Sequence, residues 1–269
     1  MKKNIQFLFL IILFSLVAAF VFYGTNKDYY TTTQVDMFLA INHLLSSVSG
    51  KWWAYITALG DTLILLSLLS FFVLKDIRVW AAFFGAIPLS GVLSSVGKEF
   101  FSIPRPAAII DTDKFTVVGE ALRGATSLPS GHTITIFTVV SAIIYIYFYS
   151  KKKIKHPLSK SIGLFLLAAV VAMSRVAVGA HWPLDLLLGA SIGCFGGIGG
   201  AILTFKFLAW WNWMTKPNSK YVHALLLSVI SIAAVVEHPQ LVVAWLSLIV
   251  ASLVTIKLLL FKGNNEPSH

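Results

Sequence analysis

The stretch LDLLLGASIGCFGGIGGAILTFKFL, residues 184–208, is predominantly apolar and carries no charge apart from Asp185 near its start and Lys206 near its close. A helix that crosses a bilayer needs about 20 such residues. Seven further stretches reach or approach that length: 5–24, 52–74, 79–100, 131–149, 161–179, 222–236 and 241–261. The runs are continuous rather than alternating, which excludes a β-barrel. Composition agrees: the 269 residues are 57% hydrophobic and 12% charged, against about a quarter charged in a soluble domain. A disordered chain would be less apolar still. The expected fold is an all-α polytopic transmembrane helical bundle. Its first stretch follows Met1-Lys2-Lys3 like a signal peptide, but it is long and Phe20-Val21-Phe22-Tyr23 is a poor cleavage neighbourhood, so a retained span is expected. Cys194, the single cysteine, excludes an intrachain disulfide or a cysteine metal cage and reads as a small buried side chain.

The net charge of +10 would suggest nucleic acid in a soluble protein, but in a membrane protein the positions of the cations matter more. With a cytoplasmic N-terminus, fourteen of the 21 lysines and arginines fall on the cytoplasmic side, among them Lys151, Lys152, Lys153 and Lys155. Cation-rich short loops stay inside, so both termini are expected in the cytoplasm and no nucleic-acid partner is expected. The cation run at 151–155 then serves as a topology signal. On the outer side, Met37, Phe38, Ile41, Leu44, Leu45 and Val48 recur at helical spacing, which suits a helix lying in the interface, with His43 on its solvated face. The segment 101–128 is the longest polar stretch, and loops of that length are usually functional or mobile. The tail after Phe261 reads as disordered.

Ionisable groups in or beside spans are functional candidates by default. Three clusters fall at the outer ends of spans: Lys98 with Arg105-Pro106, Pro129-Ser130-Gly131-His132, and Ser174-Arg175 with His181 and Asp185. Lys98, Arg105 and Arg175 surround one point with positive charge, which suits an anion with several oxygens. Ser130 and Gly131 precede a helix, whose free N–H groups also favour an anion. Asp185, four residues after His181, can reach back to fix its tautomer, and His132 offers a second imidazole for proton transfer. Taken singly, each cluster has a plainer explanation: a turn and helix start, a capping pair, or snorkelling cations. His132, His181 and Asp185 are also possible metal ligands, but three cations nearby argue against a metal. Together the groups describe a phosphoryl-transfer site with a histidine nucleophile and a histidine acid.

The order and spacing of these blocks resemble the type 2 phosphatidic acid phosphatase superfamily: lysine, six residues, Arg-Pro; Pro-Ser-Gly-His; Ser-Arg, five residues, His, three residues, Asp. All eleven fixed positions match, and the likeness covers about 50 to 210. The resemblance implies a six-helix core and metal-independent removal of phosphate from a lipid mono- or diphosphate. It implies that His181 attacks phosphorus, Asp185 orients it, and His132 protonates the departing oxygen. Lys98, Arg105 and Arg175, with Ser130 and Gly131, would hold the phosphate oxygens. Vanadium-dependent haloperoxidases share the motifs, but they are soluble, which the eight apolar stretches disfavour.

The expected organisation is a first span and outer helix (1–51), a phosphatase core (52–208), and two additional C-terminal spans with a tail (209–269). The expected activity is that of a lipid phosphatase in a bacterial inner membrane with its active site on the periplasmic side, needing no metal or cofactor. Its partners are the bilayer and a lipid phosphate: undecaprenyl diphosphate, phosphatidylglycerophosphate, phosphatidic acid or a lipid A phosphate. Two rivals remain: a phosphotransferase delivering the phosphoryl group to a second lipid, and a non-catalytic lipid transporter or binder. Oligomeric state is not legible from the sequence.

Overall fold

The computed structural model describes residues 26–149 and 157–260. The expected first span, the cation run at 151–155 and the tail after 261 lie outside the described residues. Within them every regular element is helical. Three short helices come first among the described residues: α1 (Lys27–Thr32), α2 (Val35–Leu45) and α3 (Gly50–Ala58). Next, α4 (Thr62–Leu68) runs through a 3-10 turn into α5 (Phe72–Lys75), followed by α6 (Ile77–Phe101) and the single turn α7 (Pro106–Ile109). The remaining helices are α8 (Gly131–Tyr149), α9 (Pro157–Ala177), α10 (Pro183–Lys206), α11 (Ser219–Glu237) and α12 (Val242–Leu260), with a 3-10 segment Leu208–Thr215 before α11. Among the described residues, α6, α9, α10, α11 and α12 are long and apolar enough to cross a membrane.

The glycines of residues 184–208 explain how the bundle closes. Helix α10 lies against both α8 and α6, which also touch each other. A Cβ on Gly193 would come 2.6 Å from the Ile134 carbonyl oxygen, and one on Gly189 2.9 Å from that of Ser130. On the α6 side, a Cβ on Gly200 would collide with the backbone of Ala86. Small residues let membrane helices approach this closely, where dispersion and interhelical hydrogen bonds replace the hydrophobic drive. One such bond joins Ser90 and Thr138 across α6 and α8 at 2.8 Å. Outward, Leu158, Ile162, Leu166 and Val170 form an exposed apolar stripe on α9, and Leu225, Val229, Ile232 and Val236 another on α11. Stripes at helical spacing of this kind suit contact with lipid tails.

The stretch 52–74, expected as one continuous span, is instead broken: α3 and the α4–α5 segment meet at an angle of 73°. Asp61 starts a new helix by accepting from the N–H groups of Leu63 and Ile64 at 2.9 and 3.0 Å. Beside it, Gly60 lies against α8, where a Cβ would come 2.7 Å from the Cβ of His132. Helix α11 covers Ser219–Glu237, longer than the expected stretch 222–236, and α11 and α12 pack together and against α4.

Helix α2 and the segment 101–128 are ordered by long-range contacts. In α2, Met37, Leu44 and His43 are exposed, while Phe38 and Asn42 are buried against the protein. Asn42 donates to the carbonyls of Val176 and Thr116 at 2.9 and 3.0 Å and accepts from the Thr116 N–H at 2.8 Å. Segment 101–128 is pinned by Arg105 N–H to Gly124 O at 3.1 Å, Ser127 N–H to Ile103 O at 3.0 Å, and Trp182 Nε1–H to Pro104 O at 2.8 Å.

Candidate active site

Every candidate residue lies at one end of the bundle. Lys98 is in the last turn of α6, Arg105 caps α7, and Ser130, Gly131 and His132 begin α8. Arg175 is in the last turn of α9, His181 lies in the link that follows, and Asp185 is in the first turn of α10.

Asp185 is fully buried and is the hub. Its Oδ2 accepts from Ser127 Oγ at 2.6 Å and from the Trp182 N–H at 2.9 Å, and lies 3.2 Å from His181 Nδ1. Its Oδ1 accepts from the Tyr30 hydroxyl at 2.7 Å. A carboxylate can only accept, so Nδ1 of His181 carries the proton and Nε2 the lone pair. The opposite neighbour requires the same tautomer: Arg105 Nη1, which can only donate, stands 3.4 Å from Nε2. Burial first, and then the charges of Arg105, Arg175 and Lys98, hold the His181 imidazole well below its ordinary pKa. A neutral ring with an unprotonated Nε2 therefore faces Arg105 and the other two cations.

The three cations are held in place without being neutralised. Arg105 donates to the carbonyls of Ala180 at 2.9 Å and Thr126 at 3.4 Å. Arg175 donates to Thr57 Oγ1 at 2.6 Å, and its buried Nε meets no acceptor. A Cβ on Gly131 would sit 3.5 Å from Lys98 Nζ, so the missing side chain leaves room for the ammonium group. Among the described residues no carboxylate lies within ion-pair distance of these three groups, and their charges repel one another. Arg175 is buried and Lys98 and Arg105 half-buried, and like charges taken out of water together are costly unless an anion joins them.

Ser130 has a narrower part than its place in the motif suggests. Its N–H is engaged by the Asp185 carbonyl at 3.3 Å, and its Oγ accepts from Thr133 at 3.0 Å. The hydroxyl hydrogen and the first-turn N–H groups of α8 remain for a ligand. His132, His181 and Asp185, weighed above as metal ligands, do not gather their donor atoms at one point. Among the described residues the group that does is Asp61, Glu237 and His238.

Tyr30, Ser127, Thr57 and Gln34 were missed by sequence reasoning. Gln34 Oε1 accepts from the Leu184 N–H at 2.8 Å and so steadies the start of α10. Only Ser127 had a signal, its position in the long polar loop just before Pro129-Ser130-Gly131-His132.

Comparison with known proteins places the chain in a family. Residues 79–219 match the model of the PAP2 superfamily. "Putative undecaprenyl-diphosphatase YbjG" of Escherichia coli (strain K12) is 38% identical over 77 residues, 29% of this chain. The match spans about a third (34%) of that relative's length. Among solved structures, the crystal structure of Aquifex aeolicus LpxE is similar at 29% identity and a TM-score of 0.51, covering 62% of this chain and 94% of that one. The matched region takes in just over half of the residues and all three motif blocks, and the chain belongs to the PAP2 superfamily.

Proposed function

We propose that this integral membrane protein is a lipid phosphate phosphatase working through a phosphohistidine on His181. The observation that carries the proposal is the gathering of three cations without an ion-paired carboxylate around a neutral His181, whose Nδ1 is held by Asp185. A phosphate group entering there supplies the missing negative charge and meets a lone pair. Nε2 forms a bond to phosphorus as the bond to the lipid oxygen breaks, and His132 gives its proton to that oxygen. Asp185 stabilises the positive charge that develops on the ring of His181. Water then attacks phosphorus, His132 takes its proton, and the P–N electron pair returns to His181. Lys98, Arg105, Arg175 and the start of α8 hold the phosphate oxygens throughout. Three protein cations supply the charge neutralisation that a metal supplies in other phosphatases, so metal independence belongs to the proposal.

The cation asymmetry of the sequence supports an active site on the periplasmic face of a bacterial inner membrane, with both termini cytoplasmic. Residues 52–208 form the catalytic unit on this view, and 209–269 an addition to it. Candidate substrates are undecaprenyl diphosphate, named for the E. coli relative, and phosphatidylglycerophosphate, phosphatidic acid and lipid A phosphates. The test is phosphate release by the purified protein from these lipids, with and without an acceptor lipid. Release that needs no acceptor supports a phosphatase. Loss of substrate phosphate to an acceptor lipid, with none freed, contradicts it.

A further inference from the structure

A groove of about 280 Å³ opens beside His132, between α6, α8 and the break before α4. Gly131 and His132 line it, whereas His181, Lys98, Arg105 and Arg175 do not. In-line displacement puts the leaving group opposite the nucleophile. On the phosphatase reading above, the groove is therefore on the leaving-group side of phosphorus.

Its walls differ in kind from the cationic cluster. Hydroxyls line it, from Ser90 and Ser94 on α6, Thr135 and Thr138 on α8, and Thr62 on α4, at a depth where a membrane helix ordinarily presents apolar residues. They already form hydrogen-bonded pairs, Thr62 with Thr135 at 3.1 Å and Ser90 with Thr138 at 2.8 Å. Its one charged wall residue is Asp61, whose Oδ2 stands 3.7 Å from Nε2 of His238. Glu237 lies 3.9 Å from the same nitrogen. The one carboxylate on the groove wall is thus Asp61, and the α11–α12 link reaches it from behind through His238.

We infer that this groove is the leaving-group subsite and that it takes an uncharged, hydroxyl-bearing group such as a glycerol or sugar rather than a second phosphate. Hydroxyl pairs can open to bond a polyol, since each hydroxyl both donates and accepts. A second phosphate would need cations there, and it would meet Asp61 instead. The molecule thereby sorts its substrates by charge: cations around the phosphoryl group that is transferred, a carboxylate beside what departs.

The test compares kcat/KM of the full chain in detergent, with chelator, for lysophosphatidic acid, whose departing monoacylglycerol carries a free hydroxyl, and for a polyprenyl diphosphate. The monoester should be preferred by at least about tenfold, the scale of one uncompensated like-charge contact near a protein surface. Asp61→Asn, which keeps a helix-capping side chain, should shift the ratio at least about threefold toward the diphosphate, and Glu237→Gln should shift it the same way by less. A wild-type preference for the diphosphate overturns the inference, whether in chelator or only with Mg²⁺ bridging the carboxylates. So does an Asp61→Asn ratio equal to that of the wild type. A folded protein that releases phosphate from neither lipid overturns the phosphatase reading itself, and the subsite with it.

Discussion

Replacing Asp185 with Asn removes a charge while leaving the hydrogen bonds in place, and the geometry says why. Three donors converge on Oδ2, from Ser127, Trp182 and His181, and one from Tyr30 reaches Oδ1. An amide has one acceptor oxygen, and three donors select it for the Oδ2 position. Its NH₂ then faces Tyr30, whose hydroxyl can turn to accept. His181 keeps Nδ1 protonated and Nε2 bare. What is lost is the attraction between a carboxylate and a ring 3.2 Å away that gains positive charge as Nε2 attacks. At an effective dielectric of about 20 a full charge at that separation is worth roughly 5 kcal/mol, and about half a charge in the transition state roughly 2.5 kcal/mol. Asp185→Asn should therefore lower kcat/KM by about 70-fold. The assay is the initial rate of phosphate release from a short-chain lipid phosphate in micelles, with the melting temperature as the check on folding. A loss of about 10⁴-fold or more, the scale of a wrong tautomer, would refute the amide orientation. A loss below about threefold would refute any electrostatic role for Asp185.

His132→Ala should slow a lipid monoester by about 10²–10⁴-fold but an activated aryl phosphate much less, because that leaving group needs no proton; equal losses on both would remove His132 from the acid role. Activity should survive strong chelation and be inhibited by vanadate, and loss to chelator restored by Mg²⁺ or Zn²⁺ would contradict the metal-free mechanism. With the pKa of His181 held below its usual range, the ring stays neutral as pH falls through about 6.5, so the acid limb of kcat/KM should lie below that value. Arg105→Ala removes the largest neighbouring charge acting on His181 and should move the limb upward, and a limb that stays fixed would assign it to another group. Gly193→Leu should cost about 1–3 kcal/mol or more through overpacking against α8, read as a lower melting temperature of the purified protein.

The helical membrane bundle was legible because apolar run length is a direct physical requirement of the bilayer. The three motif blocks were legible because their residue types are expensive near a membrane. What stayed hidden depended on distance in the chain or on the exact place where a helix stops. Tyr30 meets Asp185 across 155 positions, Arg175 meets Thr57 across 118, and Gln34 meets the N–H of Leu184 across 150, with no local pattern to announce any of them. The break in 52–74 was masked by continuous hydropathy on both sides of Gly60-Asp61. The one acid in that run was its only sign, and Asp61 does act there as a helix cap. The glycines of α10 were plain in the sequence, but which face each one presented to α6 or α8 required the packed bundle.

The central claim is that Nε2 of His181 becomes phosphorylated. The most direct measurement is to mix the purified protein with a lipid substrate labelled in its phosphate, quench rapidly in base, and locate the label by peptide mapping. The account predicts acid-labile, base-stable phosphate on His181, absent from His181→Ala and still trapped on His132→Ala. Label on His132 in the wild type, or turnover with no phosphorylated protein at any quench time, would contradict it.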